Sequence, residues 1–301
     1  MKVAILGPTA SGKSSLAVAV ARRLGGTVVN GDPFQAVQGL AIGTGQPGTE
    51  EQGGVPHLGY GVQPLSEPMN PAGFGALVRS WIAQVQVPVL VTGSGLYLRG
   101  IWDQLDDLPD VPPALVAQVR EWCSVLGTPR LHGYLAQVDP VRAAALHPND
   151  ASRVQRAVAL FLATARPPSE LLSGVVKGVP EGWKVLLVLP SRERQHARVR
   201  LRVRAMAAQG WRAEAQRIVQ DGHEADLRRL RPLGYAHWLE KGTEDGIEAR
   251  IAAETQAYAK RQSTWFRNQL PGLPTWDPDG EPLEAAFRKL GLQDEDQESE
   301  G

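Results

Sequence analysis

The chain has 301 residues, 43% of them hydrophobic and 21% charged, which is room for one large globular domain or a core with one insertion. Its single cysteine, Cys123, excludes an internal disulfide and a cysteine-built zinc site. No run approaches the roughly 20 apolar residues a bilayer span requires, so a cytoplasmic protein with no membrane attachment is expected.

The first element is an apolar strand over Lys2–Leu6, followed by Gly7, Pro8, Thr9, Ala10, Ser11, Gly12, Lys13 and Ser14. These eight residues satisfy G-x-x-x-x-G-K-[ST], and Ser14–Leu24 reads as the helix that follows. Strand, glycine loop and helix N-terminus together make an anion site, because backbone N–H groups converge there and the helix dipole favours negative charge. Lys13 adds a mobile cation, and the Ser14 hydroxyl is a candidate ligand for Mg2+. Thr27–Asn30 reads as a second parallel strand, with Asp32 just past its C-terminal end, where open α/β sheets carry ligand-binding residues. The alternative for Asp32 is a turn cap within Gly-Asp-Pro.

Residues 33–71 are rich in Gly, Pro and Gln without periodicity, and read as a long active-site loop region. A helix over Gly73–Gln84 and a strand over Val87–Thr92 come next, ending in Gly93-Ser94-Gly95. That turn either lets the backbone approach a ligand, with the Ser94 hydroxyl on the same rim as Asp32, or simply needs small residues. No carboxylate ends this strand, which weakens a nucleotide-hydrolase reading. From the Pro-rich stretch Leu108–Pro113 the texture turns helical, until Trp183–Leu189 restores a buried strand. The expected architecture is therefore α/β, a P-loop parallel sheet flanked by helices with an inserted helical domain. Its core would span residues 1–111 and 181–291, its insertion 112–180, and a disordered acidic tail 292–301.

The zero net charge hides a segregation, with 16 Lys/Arg against 10 Asp/Glu over residues 190–267 and 2 against 9 over residues 268–301. Within the basic section Arg194, Arg198 and Arg202 fall on one face of a helix, with Arg192 within reach, and such a face calls for a compensating anion. Further on, Tyr258, Lys260, Arg261, Trp265 and Arg267 interleave aromatic rings and cations, a combination that grips a phosphate backbone and stacks unpaired bases. Tyr258 and Trp265 serve equally well as a core-facing stripe.

These residues together resemble the tRNA dimethylallyltransferase (tRNA isopentenyltransferase) family over nearly the whole chain. The resemblance rests on Gly7–Ser14, Asp32 to Gln35, Ile42-Gly43-Thr44, Pro56-His57-Leu58, Gly93–Tyr97 and His147–Arg156. It continues through the series Arg192, Arg198, Arg202, Met206, Gly210, then Leu233-Gly234-Tyr235 and Ala259–Arg267. The chain departs from the pattern at Pro33, Gln46, the single His57 and Ser94, and offers no match near Val116 for a tRNA-contacting arginine.

What the resemblance implies is prenyl transfer from dimethylallyl diphosphate to the exocyclic amine of the adenine 3′ to the anticodon. In that scheme Gly7–Ser14 and Arg192 bind the diphosphate with Mg2+ on Ser14. Asp32, Ser94 and Arg198 are catalytic. Asp32, Pro33, Phe34, Gln35, Ser94, Arg153, Arg156, Arg231, Gly234, Tyr235, Lys260 and Arg261 meet the tRNA anticodon stem-loop, with the insertion as a clamp. A monomer is expected. The competing readings are a P-loop small-molecule kinase or NTPase, and a non-catalytic RNA-binding P-loop protein.

Overall fold

The computed structural model describes residues 1–67, 70–172 and 178–293. Six parallel strands form its sheet: β1 (Lys2–Leu6), β2 (Thr27–Asn30), β3 (His57–Leu58), β4 (Pro88–Thr92), β5 (Trp183–Val188) and β6 (Thr275–Trp276). Their spatial order is β3-β2-β4-β1-β5-β6. Strands β1, β4 and β5 are continuous apolar runs because helices cover both faces of a parallel sheet. Leu6 stands opposite Thr92 on one side and Leu187 on the other, so these strands end flush. That register places the loops after β1, β2, β4 and β5 along one rim. The chain crosses from β1 to β2 in one direction and from β4 to β5 in the other, so the rim above β1 and β4 is a topological switch point.

Two apolar clusters hold this frame. Val3, Ile5, Val89, Val91, Leu186 and Val188 pack with Leu16, Ala17 and Val20 of the Lys13–Leu24 helix. Val199, Val203 and Met206 of the Arg192–Ala208 helix pack with Trp211, Trp238, Ile247 and Ile251. The same cluster takes in Val37, Leu40 and Leu65, so much of the stretch after β2 is packed rather than loose. It contains short helices at Ala41–Thr44 and Thr49–Gln52 as well as β3. Two-residue strands such as β3 and β6 are too short to leave an alternating pattern, which is why neither is visible in the sequence.

The chain divides into two compact units, Met1–Gln104 with Lys177–Gly301, and Leu105–Val176. The second is all-helical and has its own core around Val119, Leu131, Leu135, Val154 and Val158. Its one enclosed carboxylate, Asp139, accepts from the backbone N–H of Arg142 (2.9 Å) and Ser169 (2.7 Å) and from the Ser169 hydroxyl (2.8 Å). Leu292, assigned above to the disordered tail, is buried against the sheet cluster; residues 294–301 lie outside the described residues. No described helix is long and apolar enough to cross a membrane.

Candidate active site

The loop after β1 is shaped by close approaches that only certain residues allow. A Cβ on Gly7 would stand 2.7 Å from the Val188 carbonyl oxygen and 2.8 Å from Ser11 Oγ. Gly12 has φ 92°, the left-handed region that glycine enters without strain, and it initiates the Lys13–Leu24 helix. Ser11 is fully buried and its hydroxyl accepts from the backbone N–H of Lys13 at 3.4 Å. Lys13 Nζ donates to the Pro8 carbonyl at 3.3 Å, folding the side chain back over the loop in the P-loop manner.

Asp32 is held at the end of β2 by a polar lattice. Asn30, fully buried, donates from its amide to the carbonyls of Asp32 (2.9 Å) and Gly59 (2.8 Å) and accepts from the Asp32 N–H (2.8 Å). Asp32 Oδ1 accepts from the Phe34 N–H at 3.0 Å and so caps the turn, and the residue also lines a cavity on this rim. Buried Thr92 donates to the Gly31 carbonyl (2.7 Å) and accepts from the Ser94 N–H (3.1 Å), tying the loops after β2 and β4 together.

A cavity of about 310 Å³ opens on this rim, lined by Lys13, Ser14, Asp32, Arg202, Tyr258 and Arg261 among others. Its charges are tuned by their enclosure. Burial and the Arg202 guanidinium pull the Lys13 ammonium down from 10.5 to about 8, with Asp32 opposing. Burial pushes the Asp32 carboxyl up, and Lys13 and the N–H groups of Phe34 and Gln35 only partly offset it. Arg202 is lowered by burial as well. A second cavity of about 590 Å³ shares Lys13, Ser14 and Arg202 and is walled by Ile42, Gln46, His57 and Tyr60. The P-loop cation and hydroxyl thus face two chambers, one of them walled by Tyr258, Arg231 and Arg261, the other by Ile42, Gln46, His57 and Tyr60.

Not every residue singled out in the sequence reaches this site. Of the arginine stripe, Arg202 is the member that lines both chambers. Arg198 sits behind the loop, donating to the Ser11 carbonyl (3.1 Å) and to Asp279 Oδ1 (2.6 Å). Arg194 donates to the Asp279 carbonyl at 3.0 Å, and Arg192 is exposed in the first helical turn. Phe34, Gln35 and Arg231 line the chamber containing Asp32. Gln35 also donates to the carbonyls of Thr44 (3.1 Å) and Gly45 (2.8 Å).

Pro33, Gly234 and Tyr235 are buried. The Tyr235 hydroxyl donates to Glu214 Oε1 (2.5 Å), whose carboxylate also accepts from the N–H groups of Ile42 (2.8 Å) and Gly43 (3.1 Å). That carboxylate, invisible as a site residue in sequence, sets the Ile42–Thr44 turn on the cavity wall. Of the two aromatic side chains left open above, Tyr258 lines the cavity. Trp265 packs on Gly95, where a Cβ would collide with its ring. Lys260 and Arg261 are exposed on the long Glu244–Gln269 helix, with Arg261 5.6 Å above the Tyr258 ring. Arg153 and Arg156 are exposed on the Ala151–Thr164 helix of the second unit.

The chain matches the family models "IPP transferase" over residues 35–269 and "Isopentenyl transferase" over residues 1–58. A tRNA dimethylallyltransferase of Rhodospirillum centenum is 40% identical over 282 residues, covering 90% of each chain. One from Anaeromyxobacter sp. is 40% identical over 297 residues, covering 96% of each. Among solved structures, the tRNA delta(2)-isopentenylpyrophosphate transferase of Staphylococcus epidermidis superposes with a TM-score of 0.66 at 27% identity, over 97% of both chains. A eukaryotic dimethylallyltransferase acting on tRNA shares the fold, with a TM-score of 0.73 at 22% identity over 95% of this chain and 77% of the other. Strand order, P-loop, rim residues and these matches agree, and the chain belongs to the IPP transferase family.

Proposed function

We propose that the protein transfers a dimethylallyl group from dimethylallyl diphosphate to the exocyclic amine of the adenine 3′ to the anticodon in tRNA. The observation that carries this reading is the cavity in which a P-loop lysine and hydroxyl meet a carboxylate of raised pKa, with Tyr258, Arg231 and Arg261 in the walls. The amine nitrogen attacks the allylic carbon, the N–C bond forms as the C–O bond breaks, and diphosphate leaves with the electron pair. Asp32 accepts the proton released from the amine; its raised pKa brings it nearer the operating pH, where a general base works best. Lys13, Arg202 and the loop N–H groups stabilise charge growing on the departing oxygens. Arg198 supports that cradle from behind.

The adenine must leave its stack to reach a donor held at the rim. Tyr258 offers a stacking face, Phe34 and Gln35 line the same cavity, and Ser94, just past β4 at the start of the Gly95–Ile101 helix, orients the base. Arg231, Lys260 and Arg261 of the first unit and Arg153 and Arg156 of the second supply cations for the anticodon stem-loop, the second unit acting as a clamp. Among the described residues no group of three or more His, Cys, Asp or Glu could hold a metal alone. The Ser14 hydroxyl and Asp32 carboxylate do line one cavity, and hard oxygen donors of this kind suit Mg2+ shared with substrate phosphates. Such an ion supplies Lewis-acid stabilisation of the leaving diphosphate. The enzyme would act as a cytoplasmic monomer.

A P-loop kinase explains the loop but not the end of β4, where Thr92 lacks a carboxylate and its hydroxyl is already engaged with Gly31. Incubation with radiolabelled dimethylallyl diphosphate and unmodified tRNA separates the readings. Label is expected on tRNA at a single adenine. Phosphate release from ATP with no label on RNA would overturn the assignment.

A further inference from the structure

Two buried glutamines converge on one residue of the P-loop. Gln262, on the Glu244–Gln269 helix, accepts the Thr9 N–H on Oε1 at 2.9 Å and donates from Nε2 to the Gly93 carbonyl at 2.8 Å. Gln195, on the Arg192–Ala208 helix, donates from Nε2 to the Thr9 carbonyl at 3.2 Å. Their exposures are 7% and 6%, so both amides are shut away from water and their hydrogen bonds are costly to leave unmade. Thr9 is therefore bracketed at both ends of its backbone, from two helices that lie 169 to 253 residues away from the loops they grip.

The chemistry of the side chain matters as much as its place. An uncharged amide can accept from one loop on its oxygen and donate to another from its nitrogen, across a single carbon. A carboxylate could satisfy Thr9 N–H but would face the Gly93 carbonyl as a second acceptor, and would add negative charge beside an anion cradle. A Cβ on Gly93 would stand 2.8 Å from Gln262 Nε2, so the turn has glycine where the amide must come close. The loop after β1 and the turn carrying Ser94 are in this way held at one separation.

We propose that Gln262 is a positioning residue that sets the distance between the diphosphate cradle at Thr9–Lys13 and the acceptor-orienting turn at Gly93–Ser94, with Gln195 securing the far side of Thr9. This rests on the prenyl-transfer reading of the site. Two reactants held in register gain rate from orientation, and displacements of about 1 Å cost on the order of 100-fold. The two halves of the amide serve different substrates: the acceptor half steadies the cradle, the donor half steadies the Ser94 turn.

The test compares Gln262→Glu with Gln262→Leu in the full-length enzyme. Kd is measured for inorganic diphosphate, and kcat and KM for prenyl transfer. Gln262→Glu keeps the bond to Thr9 and loses the one to Gly93. Because its charge stands beside the anion cradle, diphosphate affinity is expected to fall by only a few-fold, while kcat falls by about 10- to 100-fold. Gln262→Leu loses both and should weaken diphosphate binding by about 10-fold as well. Equal changes in binding and turnover for the two variants would reduce Gln262 to a packing residue and overturn the proposal. So would turnover within about three-fold of wild type in both. Should the glutamate variant fail to fold, Gln262→Met removes both bonds at nearly constant volume, and unchanged diphosphate affinity there overturns the proposal too. A wild-type enzyme without prenyl transfer would retire the function assigned above, whereas the diphosphate measurements would still read the bracket.

Discussion

The two compact units of this protein use buried polarity in opposite ways. In the sheet-containing unit the enclosed polar side chains Ser11, Asn30, Thr92, Gln195, Glu214 and Gln262 grip loops around the rim cavity, while Gln104 donates to the Gly178 carbonyl. In the helical unit the enclosed carboxylate of Asp139 caps one helix and anchors Ser169, and its other buried side chains form an apolar core. Burial raises the Asp139 carboxyl, but the N–H groups and hydroxyl it accepts from outweigh that and leave it lowered from 3.8. A carboxylate of that kind contributes stability above the unfolded value that is lost as pH falls through the folded one. Asp32 is the reverse, raised because burial outweighs the groups that lower it. The contrast teaches that the sheet-containing unit spends its buried polar groups on fixing loops, whereas the helical unit closes on an apolar core with one capped carboxylate.

The sharpest way to break that contrast is Asp32→Asn. It keeps the turn to Phe34 but removes the base, and kcat should fall by about 10²- to 10⁴-fold with tRNA binding intact. Turnover within a few-fold of wild type would send the proton elsewhere. Next, Arg202→Gln is expected to lower kcat/KM by about 100-fold, and Arg198→Gln by about 10-fold at most, because Arg198 is committed to Asp279 and the Ser11 carbonyl. The opposite ranking would put Arg198 in the cradle and Arg202 in the wall.

The pH dependence of donor binding follows from Lys13. With its folded value at about 8, the ammonium discharges within the range of ordinary assays, and the donor Kd should rise by about 10-fold per unit above pH 8. Isothermal titration across pH 7 to about 9.5 reads this limb, and Lys13→Arg should flatten it because a guanidinium stays charged. The sign for stability is the reverse. Between about 8 and 10.5 the unfolded chain binds the extra proton, so the unliganded enzyme gains stability from this residue as pH rises through that window.

The smallest expected effect tests the other region. Arg153→Ala with Arg156→Ala should weaken tRNA binding by a few-fold and reduce its slope against salt by about one to two, with the donor Kd unchanged. A donor Kd that moved with these substitutions would show that the helical unit helps shape the rim.

How much of this could be read without coordinates follows the range of the forces involved. Gly7–Ser14 between a strand and a helix, the apolar runs of β1, β4 and β5, and Asp32 past β2 are local patterns, and each stands where its neighbours in sequence dictate. The stretch after β2 was legible as loop but not as packed structure, since Val37, Leu40 and Leu65 are buried by helices far along the chain.

Sequence alone thus determined the anion cradle, the parallel α/β frame, a helical body between β4 and β5, and a likeness to one enzyme family. Tertiary structure decided which side chains share the cavity. Periodicity put Arg194, Arg198 and Arg202 on one face, but only the helix's rotation against the sheet turned Arg202 inward and left Arg198 to Asp279. Tyr235 is buried and Trp265 packs on Gly95, while Glu214 and Gln195, outside every pattern, and Gln262, inside Ala259–Arg267 but given no role there, hydrogen-bond the loops of the rim. The physical reason is common to all of them. A hydrogen bond between Thr9 and Gln262 spans 253 residues, and no local preference encodes a contact that forms only once two helices have docked on the sheet.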